Sequence, residues 1–193
     1  MEIILASESY LKNCIFSAAK LAYQKVPADI DESIFDDQPV GERVLSLARA
    51  KCEKAAASHP DDFVISADTL IALDRVVFAK PKTPKEAFQR ALGFSGKTIE
   101  VYTGTATYSP ANGIQTYLAH GKVAYTEFTE SDLHRLTAED NPQIRNGLGV
   151  FIDSPGFTLV EHWEGSYTGL MGLPMEFVYQ QLRGAGLLIS GSR

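Results

Sequence analysis

The 193-residue chain has little cysteine, little tryptophan and no excess of basic charge: two cysteines, one tryptophan, and 18 Lys+Arg against 24 Asp+Glu, a net charge of −6. Cys14 and Cys52 stand far apart, without CxxC or Cys/His ligand spacing, which removes a disulfide framework and a zinc site from consideration. No stretch approaches the ~20 consecutive apolar residues of a membrane span. The opening MEIILAS carries an acid, Glu2, where a signal peptide has positive charge, and its apolar run ends too soon. A cytoplasmic protein with no membrane partner is the expectation. The acidic balance argues against a nucleic-acid polymer, whose binding needs a basic surface that releases phosphate counterions. There is no Walker P-loop and no GxGxxG opening a helix, so any phosphate would have to be held another way. His59, His120, His134 and His162 accompany no candidate nucleophile and read as surface or packing residues.

What is present is the patterning of one α/β domain over residues 1–193. Glu2 to Ala6 reads as a short buried strand, followed by a helix with apolar positions at Leu11, Ile15, Ala18, Ala19 and Ala22, running to Tyr23. A second helix spans Val40 to Ser58, with Lys51 on its otherwise apolar stripe. FVISADTLIAL, Phe63 to Leu73, is too apolar for a strand with a wet face and belongs at the centre of a sheet. Asp74 and Arg75 before VVF signal a hairpin. A helix from Pro84 to about Phe94 precedes two long antiparallel strands joined across Ser109 to Gly113. A short helix at Glu130 to Thr137 follows, then a glycine-rich turn at 146–149 and strands near Val150 and over Phe157 to Glu161. A final helix starts at Pro174 and stops near Gly184 and Gly186.

Acids crowd Asp29 to Glu42, and Arg43, Arg49, Lys51 and Lys54 follow at once, with Lys80, Lys82 and Lys85 later. A local basic pocket in an acidic protein suits a small phosphorylated ligand. Ser7, Glu8 and Ser9 fall in the strand-to-helix turn, where unpaired N–H groups and the helix dipole attract an anion; Ser9 could equally just cap the helix. Lys12 lies one turn further in. Asp68 interrupts a strand expected to be buried, so it needs a cation, a donor cluster or a cleft. Ser66 shares its face of the strand, and Thr69 points to the other. Lys51 either snorkels outward or reaches into a polar cleft, and Lys80, before a proline, has the same two fates. Asp31 and Glu32 are alternative carboxylates for a hydrated magnesium ion, or parts of an exposed acidic loop.

Taken in order, IILASES near the start, DIDES at 29–33, LARAKCEKA at 47–55, SADT at 66–69, AKPK at 79–82, SGKTIEVYTG at 95–104 and EGSYTGLMGLP at 164–174 resemble the Maf-like proteins over nearly the whole chain. The resemblance implies an α/β fold like that of the inosine triphosphate pyrophosphatases: an elongated mixed sheet flanked by helices, two lobes around a deep cleft, and a homodimer. It also implies a nucleoside triphosphate pyrophosphatase. Asp68 is then the catalytic acid and a metal ligand, and Glu32 helps to hold a divalent cation, Mg2+ or Mn2+. Ser7, Lys12, Lys51, Lys80 and Thr69 then contact the substrate.

Two departures stand out. The family pattern Ser-Xaa-Ser-Pro-Arg-Arg after the first strand is replaced by SESYLK, so Tyr10 and Leu11 stand for the proline and the first arginine, and Lys12 alone keeps the positive charge. A leucine cannot clamp phosphate oxygens as a guanidinium does. Asp153 occupies the place where one branch of the family carries a glutamine tied to thymidine and uridine triphosphate preference. An acid there, accepting hydrogen bonds from a base, points to a cytidine or modified guanosine nucleotide. Two readings follow: an active enzyme clearing modified or surplus nucleotides, and a weakly active or inactive nucleotide-binding relative that regulates cell division and septum formation.

Overall fold

The computed structural model describes residues 1–78, 81–137 and 155–188. Lys80, Asp153, the 146–149 turn and the strand expected near Val150 lie outside the described residues. Strand β1 (Ile3–Leu5) leads into helix α1 (Tyr10–Ala18), and β2 (Gln24–Lys25) returns parallel to β1. A 3₁₀ turn (Glu32–Phe35) precedes the long helix α2 (Val40–Ser58), and β3 (Phe63–Leu73) follows. Next come β4 (Val76–Phe78), α3 (Pro84–Leu92), β5 (Thr98–Ser109), β6 (Gly113–Tyr125) and α4 (Glu130–Thr137). A second 3₁₀ turn (Pro155–Leu159), β7 (Val160–Glu164), α5 (Tyr167–Leu170) and α6 (Met175–Gly184) complete the described chain. The seven strands form one mixed sheet in the order β2-β1-β3-β5-β6-β7, with β4 added beside the far end of β3.

Three apolar clusters hold helices to this sheet. Ile4, Val64 and Ala106 face Ala48, Cys52 and Ala55 of α2. On the opposite face, Leu5, Phe63 and Ile65 pack on Phe16 of α1 and on Val178 and Leu182 of α6. Further along that face, Ile71, Ile99, Val101 and Val123 meet Ala87 and Ala91 of α3 and Leu133 of α4. The elongated sheet thus carries two cores along one face, bridged by Met171. β3 belongs to both. Among the described residues no helix is long and apolar enough to cross a membrane.

Strand pairing leaves a gap along β3. On one edge β1 pairs with Phe63, Val64 and Ile65, and β4 with Ile71, Ala72 and Leu73. Between them, no strand among the described residues pairs with Ser66 to Leu70 on that side. β5 pairs with β3 along the other edge, setting Asp68 opposite Gly104. Asp74 and Arg75, both left-handed at φ 51° and 68°, make the tight turn that swings β4 back.

Two sequence expectations shift. Helix α1 ends at Ala18 rather than Tyr23, because Lys20 adopts φ 55° and turns the chain back. Tyr23 then stacks edge-on against Phe16, 4.9 Å between centroids, so its apolar spacing reflects packing on the helix from outside. The strand expected over Phe157 to Glu161 is a 3₁₀ turn through Leu159, and the pairing strand starts at Val160. Pro155 and Gly156 open that turn.

Gly104 sets how closely α2 approaches the sheet: a Cβ there would lie 2.2 Å from the Val44 carbonyl oxygen. Gly104→Ala should therefore destabilise the protein by about 3 kcal/mol, read as a lower midpoint in urea unfolding. An unchanged midpoint would mean that α2 is free to lift from the sheet.

Candidate active site

The gap along β3 opens into a cleft of about 590 Å³ whose walls include Ser7, Lys12, Glu32, Lys51, Asp68 and Thr69. Six of the eight residues singled out in the sequence thus meet in one place; the other two, Lys80 and Asp153, lie outside the described residues.

Asp68 projects from the α2 face of β3. Lys51 reaches it because side chains on a helix tilt toward its N-terminus, carrying the ammonium back over the preceding turn. Lys51 Nζ lies 2.6 Å from Asp68 Oδ1 and 2.7 Å from Glu32 Oε1. The Lys51 and Asp68 side chains are only 14% and 15% exposed, whereas Glu32 is 54% exposed at the rim. Of its two fates, then, Lys51 takes the cleft. Burial opposes the lysine charge, but the Asp68 and Glu32 carboxylates outweigh it and hold the pKa above the usual lysine value.

Local geometry separates Asp31 from Glu32. Asp31 caps the 3₁₀ turn, its Oδ1 accepting from the Ser33 amide at 3.0 Å and the Ser33 hydroxyl at 2.6 Å, and those bonds lower its pKa. Its neighbour Glu32 is left facing Lys51. Ser66, on the same strand face as Asp68, donates to the Ala48 carbonyl at 2.6 Å and fastens β3 to α2.

From the other face come Lys12 and Thr69. Lys12 is buried, and a Cβ built on Gly172 (φ 99°) would lie 3.8 Å from Lys12 Nζ and 2.9 Å from Thr69 Oγ1. Only glycine lets the chain before α6 pass so near both groups. Thr103 donates to the Gly169 carbonyl at 2.8 Å and lies 3.0 Å from the Thr69 hydroxyl. With the Thr103 proton so used, Thr69 donates to Thr103 and keeps its acceptor lone pairs. Ser9 stands at the α1 N-cap without a side-chain capping bond, and no acid occupies the first turn, so the positive end of the helix dipole faces no carboxylate of its own helix. None of the four histidines lines the cleft.

The sequence placed Arg43 among a basic group suited to a phosphorylated ligand but gave it no role of its own, and it lines the same cleft. Of the other basic residues near it in sequence, Arg49 pairs with Glu53, and Lys54 donates to the Asp29 carbonyl. The available signal was spacing: Arg43 and Lys51 are eight residues apart, which leaves them roughly 80° apart around an α-helix.

A family model described as Maf-like protein matches residues 2–185. The chain belongs to that family. Relatives of this Maf-like chain include a dTTP/UTP pyrophosphatase of Deinococcus radiodurans, 34% identical over 98% of this chain and 95% of the relative. Another dTTP/UTP pyrophosphatase, from Methylobacillus flagellatus, is 32% identical over 99% and 96%. A 7-methyl-GTP pyrophosphatase of Alkalilimnicola ehrlichii is 32% identical over 98% and 96%. Among solved structures, the Staphylococcus aureus Ham1 protein superposes with a TM-score of 0.53 at 14% identity, covering 96% of the Maf-like chain and all of its own. That likeness is one of fold: the elongated mixed sheet with helices on both faces.

Replacing Lys51 by Met would leave two carboxylates facing each other without a counter-charge, at a cost on the order of 2 kcal/mol given the exposure of Glu32. Because the folded-state pKa of Lys51 is raised, its stabilisation is fully present below the unfolded value of 10.5 and is lost as pH climbs through the higher folded value. The Tm difference between parent and variant should stay level from pH 7 to about 9.5 and narrow only above 10.5. Narrowing already at pH 8 would contradict this.

Proposed function

We propose that this Maf-like protein hydrolyses a nucleoside triphosphate between its α and β phosphates, releasing the nucleoside monophosphate and pyrophosphate with the help of a divalent cation. The observation that carries the reading is the Lys51 ammonium held between Asp68 and Glu32, with Lys12 approaching from the opposite face of β3. Relatives sharing about a third of the sequence over nearly their full length are named as pyrophosphatases of nucleotides.

The donor set suits Mg2+ or Mn2+. The described residues contain no cluster of three or more His, Cys, Asp or Glu groups, but two hard carboxylates are present. Mg2+ characteristically binds through one or two carboxylates, several waters and substrate phosphate. Glu32 and Asp68 would hold the cation, which supplies charge neutralisation on the phosphoryl oxygens when bound.

The chain's own groups divide the remaining work. Asp68 orients a water toward the α phosphorus and accepts its proton. Lys51, released from the carboxylates as the cleft fills, turns its ammonium to the phosphate oxygens, where charge grows in the transition state. Lys12, Ser7 and the positive end of the α1 dipole hold the rest of the triphosphate, and Lys80 extends that set. Thr69, spent as a donor on Thr103, receives a donor from the substrate or from Lys12.

Asp153 is assigned to the base, favouring a cytidine or modified guanosine nucleotide; the relatives themselves divide between dTTP/UTP and 7-methyl-GTP. A homodimer in the cytoplasm completes the reading. Leu11, standing for the family's usual arginine, is the observation that favours the alternative of a weakly active nucleotide-binding regulator.

The test is pyrophosphate release from a panel of canonical and modified nucleoside triphosphates with Mg2+ or Mn2+, comparing the parent with Asp68→Asn. Turnover of at least one nucleotide, reduced about 10²-fold or more in the variant, is expected. A folded parent that turns over none of them contradicts the enzymatic reading.

A further inference from the structure

Arg43 enters the cleft from the first turn of α2, its amide bonded to the Pro39 carbonyl at 2.8 Å. Its side chain is 19% exposed, and Nη2 contacts Asp36 Oδ1. Nε is buried and has no hydrogen-bond partner among the described residues. An orphaned donor on a guanidinium is uncommon and calls for a physical reason, since a charged N–H removed from water without an acceptor is costly. Asp36, at the end of the 3₁₀ turn, is 56% exposed, and exposed pairs of this kind are weak. One short turn therefore gives each cleft cation of α2 a carboxylate: Glu32 at its start takes Lys51, and Asp36 just past its end takes Arg43.

Across the cleft, α1 presents Lys12 beside the uncharged Leu11. The α1 wall thus offers a point charge and no planar fork. A guanidinium has five N–H donors in a rigid fork that matches two phosphate oxygens at once, which an ammonium does not. A polyphosphate in this cleft carries several negative charges and would compete readily with one exposed carboxylate for Arg43.

We propose that Arg43 is the phosphate-clamping arginine of this protein, parked on Asp36 until the polyphosphate arm of the substrate draws it in, and supplying from α2 the guanidinium that α1 lacks at Leu11. The proposal rests on the polyphosphate-binding reading of the cleft. It makes the leucine a relocation of the clamp and not a loss of it.

Calorimetric binding of tripolyphosphate, a base-free probe that needs no turnover, tests this on the folded full chain with four variants. Arg43→Gln should weaken binding about tenfold to a hundredfold, and Arg43→Lys, which keeps the charge and loses the fork, by a smaller factor. Asp36→Asn should bind as tightly as the parent or more tightly, because it frees the guanidinium. Adding Leu11→Arg to Arg43→Gln should recover most of the lost affinity.

Unchanged affinity in Arg43→Gln overturns the proposal. So does equal weakening in Asp36→Asn, which would make the Arg43–Asp36 pair a brace for the Glu32 turn. If Leu11→Arg gives no recovery, the two positions are not equivalent and the relocation is wrong. Arg43-dependent tripolyphosphate binding in a protein that releases no pyrophosphate would uphold the clamp and sink the enzymatic reading alone. Arg43→Lys keeps the pair with Asp36 and serves where Arg43→Gln fails to fold.

Discussion

The Lys51 ammonium, closed between the Asp68 and Glu32 carboxylates, is the contact on which the cleft depends. Two acids at this distance repel, and one of them projects from a strand whose neighbours are almost wholly buried. A single positive charge from α2 makes both tolerable, at the cost of taking that lysine out of water. One carboxylate is largely buried on a central strand of the sheet, while the other sits half-exposed on a short turn at the rim.

That contact requires α2 to press closely on the sheet at one point and the sheet to be open at another. Gly104 meets the first requirement by giving the Val44 carbonyl room where any side chain would collide. The interruption between β1 and β4 meets the second: among the described residues, Ser66 to Leu70 have strand pairing on one edge only. Because alternate residues of β3 face opposite sides, the open stretch sends Asp68 toward α2 and Thr69 toward α1 and the segment before α6. Cations can then approach an anionic ligand from both faces of one strand. A cleft built this way needs no glycine-rich phosphate loop, which agrees with the absence of one from the sequence.

Much of this was legible in the residues. α2, β3 and α4 have the bounds their apolar periodicity implied, since Pro39, the turn after Ser58 and the Asp74–Arg75 pair punctuate the chain clearly. Asp68 signalled its own importance, because a carboxylate in a buried strand must be compensated. Its compensation was not legible: Lys51 lies 17 residues away, and an inward lysine more commonly snorkels than pairs. That Glu32 and not Asp31 faces Lys51 turns on a capping bond to Ser33, a matter of one residue of 3₁₀ geometry. Arg43 was visible only as one of a basic group, because what steers it is Asp36, seven residues earlier. The early end of α1 was hidden for a similar reason, as Tyr23 keeps helical spacing while packing from a turned chain.

Hydrolysis in water enriched in oxygen-18, with mass analysis of both products, tests the central claim most directly, because it reports which phosphorus the oriented water attacks. If Asp68 aims water at the α phosphorus, one labelled oxygen should appear in the nucleoside monophosphate and none in the pyrophosphate. Label in the pyrophosphate, or release of inorganic phosphate in place of pyrophosphate, would contradict the account.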